Sequence, residues 1–224
     1  STRYASVAVS SEGEVVSELT WRSERNHSVE LVPALRQLMA QARVRMEEVG
    51  AVFVARGPGG FSALRVGISV AKSIAAARAI PMVAVGTLDV EAQPYLGLGV
   101  PVCAVVGAGR TKFYAAVYLE GQPAGAGSAE RYSVETHEGM AALVPKDSLL
   151  CGEAALPVAG VLRDKFGVEV LAAGSPPPTR RPGVLAMLGN YRLQAGDTDD
   201  PETLQPIYMR GSQFESAQRN IKTR

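Results

Sequence analysis

The sequence contains few of the residues that metal sites and redox sites use. Only two cysteines and two histidines occur among its 224 residues, and no Cys-x-x-Cys or His-x-x-x-His spacing is present to complete a coordination shell. Cys103 and Cys151 lie in apolar runs, so we predict two buried free thiols in place of a disulfide. No Gly-x-Ser-x-Gly turn marks a hydrolase nucleophile. The composition therefore disfavours a metal centre and a hydrolytic triad.

An excess of charge of one sign is also lacking. Lys and Arg total 23 against 22 Asp and Glu, which gives a formal charge of +1 and no broad basic field of the kind that grips nucleic acid. Long apolar runs are absent too, because Arg78, Pro81 and Glu91 interrupt the most apolar third of the sequence. The amino end lacks the basic start and apolar centre of a signal peptide. We expect a soluble protein of the cytoplasm.

The apolar residues that are present recur with the spacings of strands and helices. Tyr4 to Ser10 and Val15 to Arg22 read as two strands of a hairpin that turns at Glu12-Gly13, and such a hairpin would normally have a further strand before it. Leu31, Leu35, Leu38, Ala42 and Met46 then form the apolar stripe of a helix, which we predict over Leu31 to Val49.

Residues 51 to 106 alternate strand and helix. Ala51 to Ala55 is a continuous apolar run of the type buried on both faces of a sheet. A helix is predicted from Ser62 to Ala79, with Leu64, Ile68, Ala71 and Ala75 on its apolar stripe, and Met82 to Val85 forms the next strand. Helices that connect successive strands indicate parallel pairing, and hence an α/β fold.

The pattern restarts after the Gly- and Pro-rich connector at residues 94 to 101. We therefore predict an amino-terminal α/β subdomain over residues 1–98 and a carboxy-terminal α/β subdomain over residues 99–210. Residues 211–224 carry Arg219, Lys222 and Arg224 with few apolar residues, which is typical of a flexible basic tail.

The stretch Gly57-Pro58-Gly59-Gly60, between a strand and a helix, has two interpretations. Gly57, Gly59 and Gly60 could present backbone N–H groups to an anion or a nucleotide phosphate, although the spacing fits neither a P-loop nor a dinucleotide fingerprint. The alternative is a tight turn whose glycines only supply positive φ. Further along, Thr87-Leu88-Asp89 reads as a helix start in which Asp89 acts as a cap.

Three stretches of the sequence together resemble the bacterial TsaB (YeaZ) family. They are Asn26-His27-Ser28, the run from Gly57 to Arg65, and Val85-Gly86-Thr87-Leu88-Asp89. The family's glycine stretch usually reads Gly-Pro-Gly-Ser-Phe-Thr-Gly-Leu-Arg, from which Gly60, Ser62 and Ala63 depart. Where the family usually has Asp-Ala-Arg, this chain has Gly107-Ala108-Gly109-Arg110.

The resemblance implies a fold of two similar α/β halves, as in the actin, sugar-kinase and Hsp70 ATPases, with an apolar first strand before Ser1. It implies a non-catalytic dimerisation and scaffold subunit that acts with a TsaD-like catalytic subunit and a TsaE-like ATPase. The complex would transfer threonylcarbamoyl to the adenosine next to the anticodon of tRNAs. The chain would have no cofactor of its own, and ATP or ADP would bind at an interface shared with partners.

The two long helices are the predicted partner interface, because the second helix carries apolar and small residues on nearly every face. The predicted partner is a TsaD-like subunit or, when the chain is alone, a second copy. The predicted contact residues are His27, Leu31, Leu35, Phe61, Leu64, Arg65, Gly67 and Ile68. A metal-binding His-x-x-x-His of the catalytic relative aligns with Thr87 and Glu91, which cannot replace two imidazoles. The alternatives are a nucleotide-dependent phosphotransferase of the same superfamily and, more weakly, a peptidase.

Overall fold

The structure is a computed structural model that describes residues 4–23, 26–125, 128–174 and 179–209. The predicted tail at residues 211–224 lies outside the described residues. Among the described residues, no helix combines the length and the apolar character needed to cross a lipid bilayer.

The first half contains two separate pairs of strands. Strands β1 (Tyr4–Ser11) and β2 (Glu14–Arg22) form the predicted antiparallel hairpin. Its turn requires positive φ at Glu12 (51°) and at Gly13 (89°), as in the turns that match the twist of hairpin strands. Strands β3 (Val52–Gly57) and β4 (Met82–Gly86) pair in parallel.

Three helices accompany these strands: α1 (His27–Ala42), α2 (Phe61–Arg78) and α3 (Thr87–Ala92). Helix α1 is shorter than predicted, because Arg43 adopts a left-handed conformation (φ 55°) that ends it, and only a short 3-10 helix follows at Met46–Glu48. Helix α2 agrees with its prediction, and Leu64, Ile68, Ala71 and Ala75 form its buried stripe.

The second half contains one sheet of five strands: β5 (Val102–Gly107), β6 (Phe113–Tyr118), β7 (Ser133–Glu135), β8 (Leu149–Cys151) and β9 (Leu171–Ala172). Their order in the sheet is β7-β6-β5-β8-β9. The central strand β5 is antiparallel to β6 and parallel to β8. Helices α4 (His137–Leu143) and α5 (Ala155–Phe166) precede and follow β8.

The two halves share one order of elements. In the first half β2, α1, β3, α2 and β4 follow one another, as β7, α4, β8, α5 and β9 do in the second. Each half ends in a helix that packs on the other half: α3 contacts β5 and β6, and the last helix, α6 (Pro182–Gln194), contacts all four strands of the first half. Helix α6 thus packs on the first half, although the predicted boundary at residue 98 assigns its residues to the carboxy-terminal subdomain.

Close backbone contact fixes α6 on the first half. A Cβ atom on Gly189 would lie 2.5 Å from the ring of Phe53 in β3, so only glycine allows this approach. In the last turn of the helix, Arg192 Nη1 donates to Ala84 O of β4 at 2.7 Å, and beyond the helix Asp199 Oδ2 accepts from Ala84 N at 2.8 Å. The carboxy-terminal described segment thus completes the first half of the fold.

The central strand of the second sheet has no counterpart among the described strands of the first half. In the second half β5 lies between β6 and β8, but no described strand lies between β1 and β3. A cavity of about 780 Å³ is found there instead, lined by residues of β1, α1, β3, α2 and α6. The prediction that the β3 run is buried on both faces is consequently wrong: only Val54 and Gly57 of this strand are buried.

Candidate functional site

The glycine loop is packed under the end of the described chain. Ile207 N donates to Arg56 O at 2.8 Å, and a Cβ atom on Gly57 would lie 3.0 Å from Ile207 O. Gly57 also has a φ of 104°, which L side chains rarely adopt. Gly59 and Gly60 continue the turn, and Gly60 is the N-cap residue of α2. These contacts favour the tight-turn interpretation over an open phosphate loop.

The predicted interface residues divide into three environments. Leu64 and Ile68 are 5% and 4% exposed and pack in the core under α2, and their contact with a partner stays a prediction. The residues His27, Leu31, Leu35 and Gly67 line the cavity between β1 and β3. Phe61 and Arg65 are exposed at the start of α2. The apolar periodicity that suggested a shared interface thus mostly marks the inner side of the helices.

Phe61 and Arg65 form a cluster with Tyr208, a residue that the sequence did not indicate. The guanidinium carbon of Arg65 lies 3.9 Å from the centroid of the Phe61 ring and 6.0 Å from that of Tyr208. The two ring centroids are 5.0 Å apart, and Arg65 Nε donates to the Tyr208 hydroxyl at 3.0 Å. Aromatic and arginine side chains in this arrangement are typical of the residues that dominate binding energy at interfaces.

Thr87 and Glu91, which the resemblance predicts to align with a metal-binding pair of the catalytic relative, are both buried in α3. The Glu91 carboxylate pairs with Arg180 Nε at 3.1 Å and accepts from the Thr179 hydroxyl at 2.7 Å, while Arg180 Nη2 bonds Glu153 at 3.0 Å. Burial raises the pKa of Glu91, and Arg180 opposes that shift. Glu91 is thus part of an internal ion-pair cluster between the first half and the segment that leads into α6.

Asp89 does not cap α3 as predicted, since Gly86 is the N-cap residue and no side-chain cap is formed. Its carboxylate instead accepts from the Tyr118 hydroxyl at 2.6 Å and from the Tyr132 hydroxyl at 2.9 Å. Burial, followed by the Asp89 charge, raises the pKa of Tyr118. Because both tyrosines belong to the second half, this buried cluster joins the two halves.

Replacing Asp89 with Ala is expected to lower the free energy of unfolding by roughly 2 to 6 kcal/mol, because two buried tyrosine hydroxyls would lose their acceptor at about 1 to 3 kcal/mol each. For a chain of this size the melting temperature should fall by about 5 to 15 °C. Thermal and urea unfolding measure the change. Tyr191→Phe is the control, since Tyr191 is 64% exposed. A loss below about 1 kcal/mol would contradict the assignment of this cluster.

The two cysteines and the two histidines do not form a common site. Cys103 and Cys151 are buried free thiols, as predicted, and burial raises the pKa of Cys103 to about 12. His27 Nδ1 is 3.0 Å from Ser23 Oγ, and His137 meets the Phe113 ring edge to face. Among the described residues, no group of three or more His, Cys, Asp or Glu side chains is placed to hold a metal ion.

The fold is that of a two-lobed α/β protein whose two halves have the same order of strands and helices. The terminal helix of each half packs on the other half, and a buried carboxylate cluster also joins them. Residues 13–144 match the family model described as "TsaD: tRNA N6-adenosine threonylcarbamoyltransferase". The structure is similar to that of YeaZ from Pseudomonas aeruginosa, with a TM-score of 0.72 and 26% identity over 92% of this chain and 95% of that one. The chain belongs to this family, on its TsaB (YeaZ) branch. The predicted fold of two α/β halves is thereby confirmed.

The curated relatives match over shorter segments. The chain is 31% identical to TsaB of Bacillus subtilis over 83 residues, which are 37% of this chain and 36% of that protein. It is 40% identical to the tRNA N6-adenosine threonylcarbamoyltransferase of Dehalococcoides mccartyi, strain CBDB1, over 76 residues, 34% of this chain and 22% of that protein. The matched part therefore spans well under half of either relative.

Proposed function

We propose that the chain is a non-catalytic dimerisation and scaffold subunit of a tRNA threonylcarbamoyl transferase complex. It would act with a TsaD-like catalytic subunit and a TsaE-like ATPase in forming N6-threonylcarbamoyladenosine next to the anticodon. The observation that carries the proposal is the structural match to YeaZ, which extends over 92% of the chain. TsaB of Bacillus subtilis is named as a protein of tRNA threonylcarbamoyladenosine biosynthesis.

The side chains of α3 support a role without catalysis. A metal-assisted transferase needs ligands that are free to coordinate. At the two aligned positions, however, this chain has a hydroxyl, on Thr87, and a carboxylate, on Glu91, that already accepts hydrogen bonds from Arg180 and Thr179. Both cysteines are buried, and burial holds the pKa of each thiol above its ordinary value, so neither is an activated nucleophile.

The alternative, a nucleotide-dependent phosphotransferase, receives no support from the glycine loop. A phosphoryl-transfer site needs open backbone N–H groups and an acid to bind Mg²⁺. Gly57 is buried beneath Ile207, and no Asp or Glu lies between Arg56 and Arg65. The proposal keeps the expectation from the resemblance that ATP or ADP binds at an interface shared with partners.

The chain alone is expected to bind tRNA weakly, with a Kd above about 10 µM at physiological salt, because a net charge of +1 offers few phosphate contacts and little counterion release. Filter binding with total tRNA at low and at physiological salt measures this affinity. Tight binding that weakens steeply with salt would contradict the expectation and would assign a direct tRNA contact to this subunit.

The proposal is tested by purifying an affinity-tagged copy of the chain from its own cells and identifying the proteins that elute with it. We expect a TsaD-like subunit in near-equal amount. An untagged strain processed in parallel controls for proteins that bind the resin. Recovery of the chain without any TsaD-like protein would contradict the scaffold role.

A further inference from the structure

The chain passes between the two halves of the fold twice. Helix α3 follows the last strand of the first half and contacts β5 and β6 of the second half. The segment at residues 179–181 follows the last strand of the second half and enters α6, which packs on the first half. A rotation of one half against the other would therefore move these two crossing segments relative to each other.

Arg180 connects the two crossing segments. Its Nε group donates to Glu91 Oε1 of α3 at 3.1 Å, and its Nη2 group donates to Glu153 Oε2 at 3.0 Å. Glu153 lies in the second half, in the turn between β8 and α5. The Thr179 hydroxyl donates to the same oxygen of Glu91 at 2.7 Å. One guanidinium thus bridges two carboxylates that belong to different parts of the fold.

The bridge is shielded from solvent. The side chains of Glu91, Arg180 and Glu153 are 1%, 15% and 27% exposed. Burial raises the pKa of Glu91 and the charge of Glu153 adds to this shift, whereas Arg180 opposes it. The two carboxylates therefore repel each other, and the cation between them holds them together. Because the guanidinium is planar, two of its N–H groups can be directed at two acceptors at fixed angles.

Each crossing segment is also attached to the half that it enters. Asp89 of α3 accepts from the Tyr118 hydroxyl in the second half, and Gly189 of α6 packs on the ring of Phe53 in the first. The bond from Arg180 to α3 consequently links an element fixed to one half with a segment that leads into the other.

We propose that Arg180 is a built-in ligand that closes the two halves on each other and holds them at one angle. In two-lobed proteins that move about a hinge, a bound molecule contacts both lobes and stabilises the closed form. Here a side chain of the chain itself makes the bridging contacts, so closure needs no separate molecule. A surface to which both halves contribute is then formed before a partner binds, which lowers the cost of binding.

The test measures the distance between the halves in the full chain by pulsed electron paramagnetic resonance. Spin labels are attached to cysteines introduced as Gln194→Cys at the end of α6 and Arg163→Cys in α5, since both positions are exposed. Cys103 and Cys151 are buried and should stay unlabelled. The chain with native Arg180 should give one narrow distribution of distances.

Arg180→Ala is expected to broaden this distribution at least twofold, because Glu91 and Glu153 lose the cation between them. Guanidinium chloride at about 20 mM, far below denaturing concentrations, should narrow the distribution again by supplying that cation. Sodium chloride at the same concentration should not. Arg180→Lys should broaden the distribution less than Arg180→Ala, because it keeps the charge and loses the planar fork. Arg181→Ala is the matched control, since Arg181 is the exposed neighbour, and should leave the distribution unchanged.

An unchanged distribution in Arg180→Ala would overturn the inference, as would equal broadening in Arg181→Ala. Broadening that guanidinium does not reverse would overturn it too, because lost packing would then be the cause. If Arg180→Ala does not fold, Arg180→Lys decides: a broadened distribution supports the inference, and an unchanged one overturns it. The inference concerns the chain alone, so each of these results leaves the scaffold role standing.

Discussion

Omitting this chain from a mixture of TsaD-like subunit, TsaE-like ATPase, threonylcarbamoyl donor and tRNA is expected to lower the rate of modification by at least about a hundredfold. A scaffold acts by binding one conformation of its partner more tightly than the others. A shift of roughly 3 kcal/mol in that equilibrium changes a rate by more than a hundredfold. Incorporation of labelled threonine into tRNA measures the rate.

Two controls accompany this reconstitution. On the proposed non-catalytic role, the chain alone should neither modify tRNA nor hydrolyse ATP. Added back, the wild-type chain should restore the rate. Full modification without the chain would contradict the scaffold role, and modification by the chain alone would contradict its non-catalytic assignment.

Joining an apolar strand of about six residues to the amino end, by a short turn, is expected to raise the free energy of unfolding by about 2 kcal/mol or more. The second half shows what the strand would do: β5 lies between β6 and β8 and bonds to both. The cavity offers the equivalent edges of β1 and β3. Each fully buried Val or Ile side chain contributes about 1.5 to 3 kcal/mol before the cost of ordering the strand.

The donor strand can be taken from the chain itself. A copy of Val102–Val106, which is buried along its length in the second sheet, is the apolar test sequence. The control replaces the first and last valines of that copy with Lys, which cannot be buried unpaired. Urea unfolding should show a gain only for the apolar strand, and half-exposed cavity residues such as Leu35 and Ile74 should become protected from solvent. Equal stability of both fusions would contradict strand insertion.

Local periodicity was sufficient to predict most helices and strands. The buried stripe of α2, from Leu64 to Ala75, follows directly from the spacing of its apolar residues. The Glu12-Gly13 turn could be predicted because left-handed conformations favour glycine at such positions. These features depend on neighbours within a few residues, which a single sequence displays.

Features that depend on distant residues were missed. Asp89 bonds tyrosines 29 and 43 residues away, whereas the sequence displays only its place in the first turn of a helix. Helix α6 follows the second half in sequence and packs on the first, because packing partners are not set by order along the chain. The Tyr208 contact to Arg65 spans 143 residues, and its only local signal was an aromatic residue in an apolar segment.

The central claim is that this chain acts in tRNA threonylcarbamoylation through a partner. The most direct measurement is the threonylcarbamoyladenosine content of total tRNA, by mass spectrometry of nucleosides, after depletion of the chain from its own cells. We expect the content to fall severalfold and to recover when the wild-type chain is supplied. An unchanged content after depletion would contradict the account.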